Sequence, residues 1–338
     1  MEDLAKLEEE ILAPSEDLIG DMKSLEGDIL ILGVGGKMGP SLAALAKKAL
    51  LAAGKDNAVI GVSRFSEPSL QQSLKKQSVQ TIKADLLDNT QLESLPEVKN
   101  VIFMAGTKFG TTGKESFTWA MNAYLPGRVA EKFKKSKIVS FSTGNVYPFV
   151  PVYSGGATED TTPEPLGEYA QSCLGRERMF EHFSKQYQIP TLIYRLNYAV
   201  DFKYGVLLEV AKAVLEGREI DLSTGHVNVI WQGDANEYAL RSLKFCDTPP
   251  RILNITGPET LSIRWAAREF GKIFNKTPHF VNEEQPTALL NNASTAHQLF
   301  GYPKVSLKTM MEIVATWLTN GGETINKPTH FQERKGAF

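Results

Sequence analysis

Tyr169 and Cys173 stand four residues apart in GEYAQSCLGRE, a spacing that places both side chains on one face of a helix. A free tyrosine titrates at about pH 10, so at neutral pH it is a proton donor, and a nearby ammonium would favour its phenolate. A thiol brings no such charge. Cys173 is therefore either a small buried hydrophobe or a thiol made reactive by an electropositive setting. Thr143, 26 residues earlier in KIVSFSTGNVY, adds a hydroxyl able to hydrogen-bond an oxygen of a bound molecule.

A second chemical feature is DILILGVGGKMGPSLAALA. Gly33, Gly36 and Gly39, with Lys37 and Met38 between them, join an apolar run to an Ala/Leu-rich stretch. Glycines at that joint allow a tight turn, a close backbone approach to a pyrophosphate and close helix–strand packing. The helix N-terminus then supplies amides for the anion. Inside a βαβ unit, this pattern predicts dinucleotide binding. The second strand ends in Ser63 and Arg64, where an acidic residue would bind the adenosine ribose. A guanidinium there can hold a 2′-phosphate, which favours NADP(H) and leaves NAD(H) open.

These residues need a scaffold, and the hydrophobic pattern supplies one. Short apolar runs at 28–32, 57–62, 79–83, 101–105, 137–142 and 191–196 alternate with helical stretches at 40–53, 70–76, 90–95, 117–134 and 168–186. That alternation predicts an α/β fold, a Rossmann-type doubly wound parallel sheet with right-handed crossovers. Beyond about residue 200, helical stretches at 205–216, 234–245, 261–275 and 306–319 lie between Pro- and Gly-containing loops. The expected organisation is a helical extension over 1–26, a dinucleotide-binding domain over 27–200, and a smaller C-terminal substrate lobe over 201–330, with one element possible back in the sheet. In the extension, Leu4, Leu7, Ile11 and Leu12 share a face that should pack on the body or on a second subunit of a homodimer.

Composition narrows the class. The chain has 338 residues, 42% hydrophobic and 22% charged, with a formal net charge of −2, so no basic excess points to nucleic acid. Two cysteines cannot build a disulfide framework, and the five histidines show no metal-ligand spacing. No apolar run reaches the roughly 20 residues that span a bilayer, and the N-terminus lacks the pattern of a signal peptide, so a cytoplasmic location is expected.

From about Gly27 to about residue 320 the motifs resemble the extended short-chain dehydrogenase/reductase family of sugar-nucleotide epimerases, dehydratases and reductases. The glycine loop is of the family's type. Asp85-Leu86 resembles the segment beside adenine, and Met104-Ala105-Gly106 the segment under the cofactor. Asn122 matches the asparagine that supports the site, and Asn197 is carried over as a further cofactor residue. Thr143, within Ser142–Tyr147, matches the hydroxyl residue that polarises the substrate. Glu177 matches an acidic residue further along the catalytic helix, and Asn254–Glu259 a segment of the C-terminal lobe.

The departure is Cys173, which stands where the family pattern Tyr-x-x-x-Lys has lysine. The resemblance assigns that lysine two jobs: bonding the nicotinamide ribose and lowering the tyrosine pKa. Three readings follow. Tyr169 stays protonated and donates to a carbonyl oxygen; or Arg176 or Lys108 supplies the cation; or catalysis is lost and the chain is a nucleotide-binding sensor or scaffold. The substrate side is expected in loops 108–114, 147–156, 197–205 and 223–232, whose aromatics, Asn and Gly suit a sugar-like molecule. Arg218 and Arg241 are the available anchors for a diphosphate, and they form no cluster.

Overall fold

The computed structural model describes residues 13–337 apart from 109, 111, 326 and 328. The proposed apolar face at Leu4, Leu7, Ile11 and Leu12 lies outside the described residues.

Seven parallel strands form one sheet: β1 (Ile29–Leu32), β2 (Val59–Ser63), β3 (Gln80–Lys83), β4 (Asn100–Phe103), β5 (Lys137–Thr143), β6 (Thr191–Leu196) and β7 (Arg251–Ile255). Their spatial order is β7-β6-β5-β4-β1-β2-β3, with Ile29 paired to both Val59 and Asn100. The chain winds one way from β1 to β3 and the other way from β4, so a crevice opens at the carboxyl ends of β1 and β4.

Strand alternation explains why both sheet faces are covered. Ile29 and Ile31 point into one core, with α1 (Glu16–Ser24) and α2 (Gly39–Ala52). Leu30 and Leu32 point into the other, with α6 (Leu125–Lys132) and α7 (Gly167–Tyr187); α3 (Pro68–Lys76), α4 (Asn89–Glu93) and α5 (Glu115–Trp119) complete the crossovers. Ser15 caps α1 by accepting from the Leu18 amide at 3.0 Å, and Leu18 and Met22 are buried in the first core.

The helix expected over 117–134 is interrupted. Between α5 and α6 the turns at Ala120–Tyr124 are π-helical. Pro126 has no N–H to give the Asn122 carbonyl, and the freed oxygen accepts instead from Arg176 Nε at 3.4 Å.

A third core belongs to the second lobe. It gathers α8 (Val206–Glu216), α10 (Ile263–Phe274), α12 (Leu307–Thr319) and the buried Phe331. More of the C-terminal half returns to the sheet than the single element expected. Besides β7, the helices α9 (Gln232–Arg241) and α11 (Ser294–Phe300) join the first core, through Ala235, Tyr238, Ala296 and Phe300. Polar contacts fix α9 on α2: Asn236 Nδ2 and Gln232 Nε2 donate to Ser41 Oγ at 2.9 and 3.1 Å.

Candidate active site

The glycine loop lies at the crevice, and each glycine has a separate reason. Gly33 has φ +90°, and a Cβ there would meet the Ala105 nitrogen at 2.6 Å. At Gly39 a Cβ would strike the Val34 carbonyl at 2.2 Å, so α2 could not start so close to β1. Gly36 differs: a Cβ would meet only the Gly33 carbonyl, at 3.5 Å, because that side opens on the crevice. α2 has no side-chain cap, so its first amides are left for another acceptor.

Two cavities flank the loop and share Gly33, Gly36, Met104 and Gly106. One, of about 400 Å³, is lined by Ser63, Arg64, Asp85, Leu86 and Ala105. Asp85 is turned onto its own loop, accepting from the Leu87 amide at 3.0 Å. The other, of about 550 Å³, is lined by Lys37, Met38, Thr143, Tyr169 and Asn197, together with Lys108, Asn145 and Tyr204. Among its described lining residues there is no carboxylate. Gly39, Asn122 and Cys173 lie behind the walls of these cavities.

The reacting end is assembled from β4, β5 and α7. Thr143 ends β5, its hydroxyl 3.0 Å from Asn145 Oδ1 and accepting from the Asn145 amide at 3.2 Å. Tyr169, in the first turn of α7, has the side chains of Thr143 and Cys173 as neighbours close enough to act on its hydroxyl. Burial, then the neighbouring thiol, push its pKa well above the ordinary tyrosine value, against the opposing charge of Arg176. Burial likewise raises Cys173, which is 1% exposed; it is a packed thiol and not a thiolate.

Tyr169, Cys173 and Arg176 follow one another at i, i+4 and i+7 on one helix face. Arg176 is buried and fixed from below. Nη1 donates to the Phe141 carbonyl at 2.7 Å and Nη2 to Asn122 Oδ1 at 3.0 Å. Asn122 also ties down the segment after β4, accepting from the Thr107 amide and donating to the Thr107 carbonyl, both at 2.9 Å. A Cβ on Gly106 would lie 2.4 Å from Arg176 Nη2, so only glycine lets the strand end pass over the guanidinium.

From the opposite wall Lys108 places its Nζ 5.6 Å from the centre of the Tyr169 ring. Burial lowers its pKa to about 8, while Cys173 opposes that shift. Lys37 remains open to solvent on one side, yet its Nζ sits 3.1 Å over the Tyr204 ring. Desolvation there, with Lys108 and Lys327 nearby, lowers Lys37 to about 7.

Behind these residues lies a layer of buried polar contacts. Arg195 and Glu177 form a buried ion pair at 2.6 Å, and Glu177 also accepts from Ser142 Oγ at 2.5 Å. Burial works against the Arg195 charge, and Glu177 more than offsets it, so its pKa is raised. Asn197 is held by Nδ2 donating to Asn228 Oδ1 at 2.9 Å. Asn254 is a structural tie, accepting from the Tyr147 hydroxyl at 2.9 Å.

Sequence reasoning did not single out Asn145, Tyr204 or Thr329. Tyr204 falls in a loop flagged for the substrate side; nothing local marks Thr329, which reaches the cavity from the far end of the chain. Arg218 and Arg241 are engaged elsewhere, with Glu216 at 2.6 Å and Asp21 at 3.0 Å. His226 lines neither cavity. Among the described residues no cluster of His, Cys, Asp and Glu is arranged to hold a metal ion, and no helix is long and apolar enough to cross a membrane.

A two-way wound parallel sheet with a glycine loop at its switch point and a Thr/Tyr pair beyond defines a Rossmann-type dehydrogenase-like architecture. Residues 29–236 match the model of the NAD dependent epimerase/dehydratase family, and the chain belongs to that family. A UDP-glucuronic acid 4-epimerase from Bacillus cereus, solved with NAD, is 23% identical with a TM-score of 0.70, over 87% of this chain and 99% of its own. UDP-glucose 4-epimerase from Thermotoga maritima, solved with UDP-glucose, covers the same shares at 17% identity and a TM-score of 0.70. A dTDP-glucose 4,6-dehydratase from Bacillus anthracis, in complex with NAD, is 18% identical over 87% of this chain and 97% of its own, with a TM-score of 0.72. No curated protein sequence matches the chain closely enough to count as a relative.

Proposed function

We propose that the chain is a nicotinamide-dependent enzyme of the reductase/epimerase type, acting on a carbonyl group of a sugar-like compound. The observation that carries this reading is the Thr143–Tyr169 pair opening on the cavity at the end of the glycine loop, whose described lining holds no carboxylate. The space beside Gly36, the uncapped start of α2 and the cations Lys37 and Lys108 suit a pyrophosphate. The cofactor, when bound, would supply a hydride to the carbonyl carbon of the substrate. Thr143 hydrogen-bonds the substrate oxygen, and Tyr169, held protonated by burial, donates its proton to that oxygen. Arg176 from below and Lys108 from the side stabilise the phenolate left behind, the work a lysine at position 173 would do.

Arg64 lines the cavity beyond the second strand, which supports NADP(H) ahead of NAD(H). The NAD-bound structures of similar fold argue for the second cofactor, and a direct affinity ratio decides between them. For the activity itself, absorbance at 340 nm is followed with a panel of free sugars, keto-sugars and nucleotide-linked sugars. Tyr169→Phe should lower turnover by about 10²–10⁴-fold, the usual range for a lost general acid. Unchanged turnover in that variant refutes the assignment of Tyr169. Tight cofactor binding without any turnover would point to a nucleotide-binding sensor.

A further inference from the structure

Residues 329–337 run back over the site. Thr329 donates from its amide and hydroxyl to Glu209 Oε2 on α8, at 2.9 and 2.5 Å. Phe331 is 2% exposed in the second-lobe core. Arg334 then crosses to the loop after β5. It donates to the Thr287 carbonyl and hydroxyl at 2.8 and 2.7 Å and lies 4.2 Å over the Phe149 ring. At the end Gly336 packs on the start of α7, where a Cβ on Gly167 would be 2.2 Å from its carbonyl oxygen. This segment therefore bridges the second lobe and the helix that carries Tyr169.

What remains beneath it is small. The cavity between His330 and Glu333 on one side and Lys108, Asn145 and Tyr147 on the other measures about 20 Å³. That is room for about one water. A drug-sized ligand needs roughly 300 Å³ or more. The 550 Å³ cavity ends against the same segment at Thr329 and must also take the nicotinamide half of a cofactor. Arg218 and Arg241, the arginines considered from the sequence for a substrate diphosphate, are paired with Glu216 and Asp21.

We propose that residues 329–337 form a strap that fills the substrate side of the inter-lobe cleft and restricts the enzyme to a small, unconjugated hydroxycarbonyl compound. A nucleotide-linked sugar is excluded by volume. The inference rests on the functional reading above in naming a carbonyl substrate, but the occlusion can be tested without turnover.

Leu289→Cys places a reporter thiol on the wall under the strap. It is made in the full chain, in a chain ending at Gln332 and in Arg334→Ala, with the unmodified chain as the control for Cys173 and Cys246. The shorter chain keeps Thr329 and Phe331, and Arg334→Ala removes only the anchor, so a folding failure in one leaves the other. Fluorescein maleimide should label the reporter about tenfold faster once the strap is shortened or unanchored, as expected for opening a protected site. Equal labelling in all three backgrounds overturns the proposal, as does binding of UDP-glucose by the full chain in calorimetry. NADPH binding, followed by its fluorescence, should be the same with and without the strap. Failure of the full chain to bind either NADPH or NADH would sink the functional reading, while the labelling rates still decide the strap.

Discussion

The two ends of the crevice are built in different ways. At the glycine-loop end, nearly every wall residue comes from a strand end or the residues just after it: Gly33 and Gly36 after β1, Ser63 at the end of β2 and Arg64 just after it, Asp85 and Leu86 after β3. At the Tyr169 end, the walls come from β4, β5, α7, the loop after β6 and the C-terminal segment. The first end is specified by local sequence and tolerates little change, because backbone sits within a Cβ of backbone. The second depends on distant side chains meeting, so one position can change if a neighbour compensates. Cys173 is the case in point: the cations near this uncharged position are Arg176, one turn further along α7, and Lys108, from the segment after β4, and the proposed mechanism gives them the work of the absent lysine.

That contrast can be broken at several points. The largest effect should come from the buried support of the Tyr169 end. Glu177→Ala leaves Arg195 buried without its carboxylate, at an expected cost of about 3–5 kcal/mol in urea unfolding. A loss under about 1 kcal/mol would show that water reaches the pair.

Next comes compensation itself. Lys108→Ala should cut turnover by about tenfold or more, and Cys173→Lys added to it should restore much of the loss, a coupling that independent sites do not show. If the double variant is worse than the single, Lys108 does not stand in for the missing lysine. At the other end Arg64→Ala should weaken NADPH by about tenfold and leave NADH nearly unchanged, as for loss of one charge-assisted contact. An unchanged NADPH/NADH affinity ratio would remove the phosphate role.

The smallest effect is a pair of opposed pH trends. Lys37 and Lys108 release their protons near 7 and 8 in the folded chain, below the ordinary lysine range. The unfolded chain keeps those protons to higher pH, so it binds more of them in this window, and the stability of the ligand-free chain should rise as pH increases through it. Affinity for an anionic cofactor should fall over the same range as the charges are lost. Parallel trends in melting and in cofactor titration would show that the two lysines do not face the anion.

Much of the fold was legible in the sequence because the α/β alternation is a local pattern. Ile29 to Leu32 supply both faces of the sheet by strand periodicity alone. The π-helical break at Ala120–Tyr124 was less legible. It depends on Pro126 and on a guanidinium two elements away. The glycine loop, Thr143 and Tyr169 could be picked out because their residue types and spacing carry their chemistry.

What the sequence by itself determined, then, is the strand-to-helix joint with its glycines and the register of α7 that aligns Tyr169, Cys173 and Arg176. Both follow from short-range geometry. Only the tertiary structure decided that Cys173 is a buried thiol beside Tyr169, that Lys108 approaches from the segment after β4, and that residues 329–337 lie over the cleft. Those facts depend on desolvation and on contacts between residues far apart in the chain, and no local pattern encodes either.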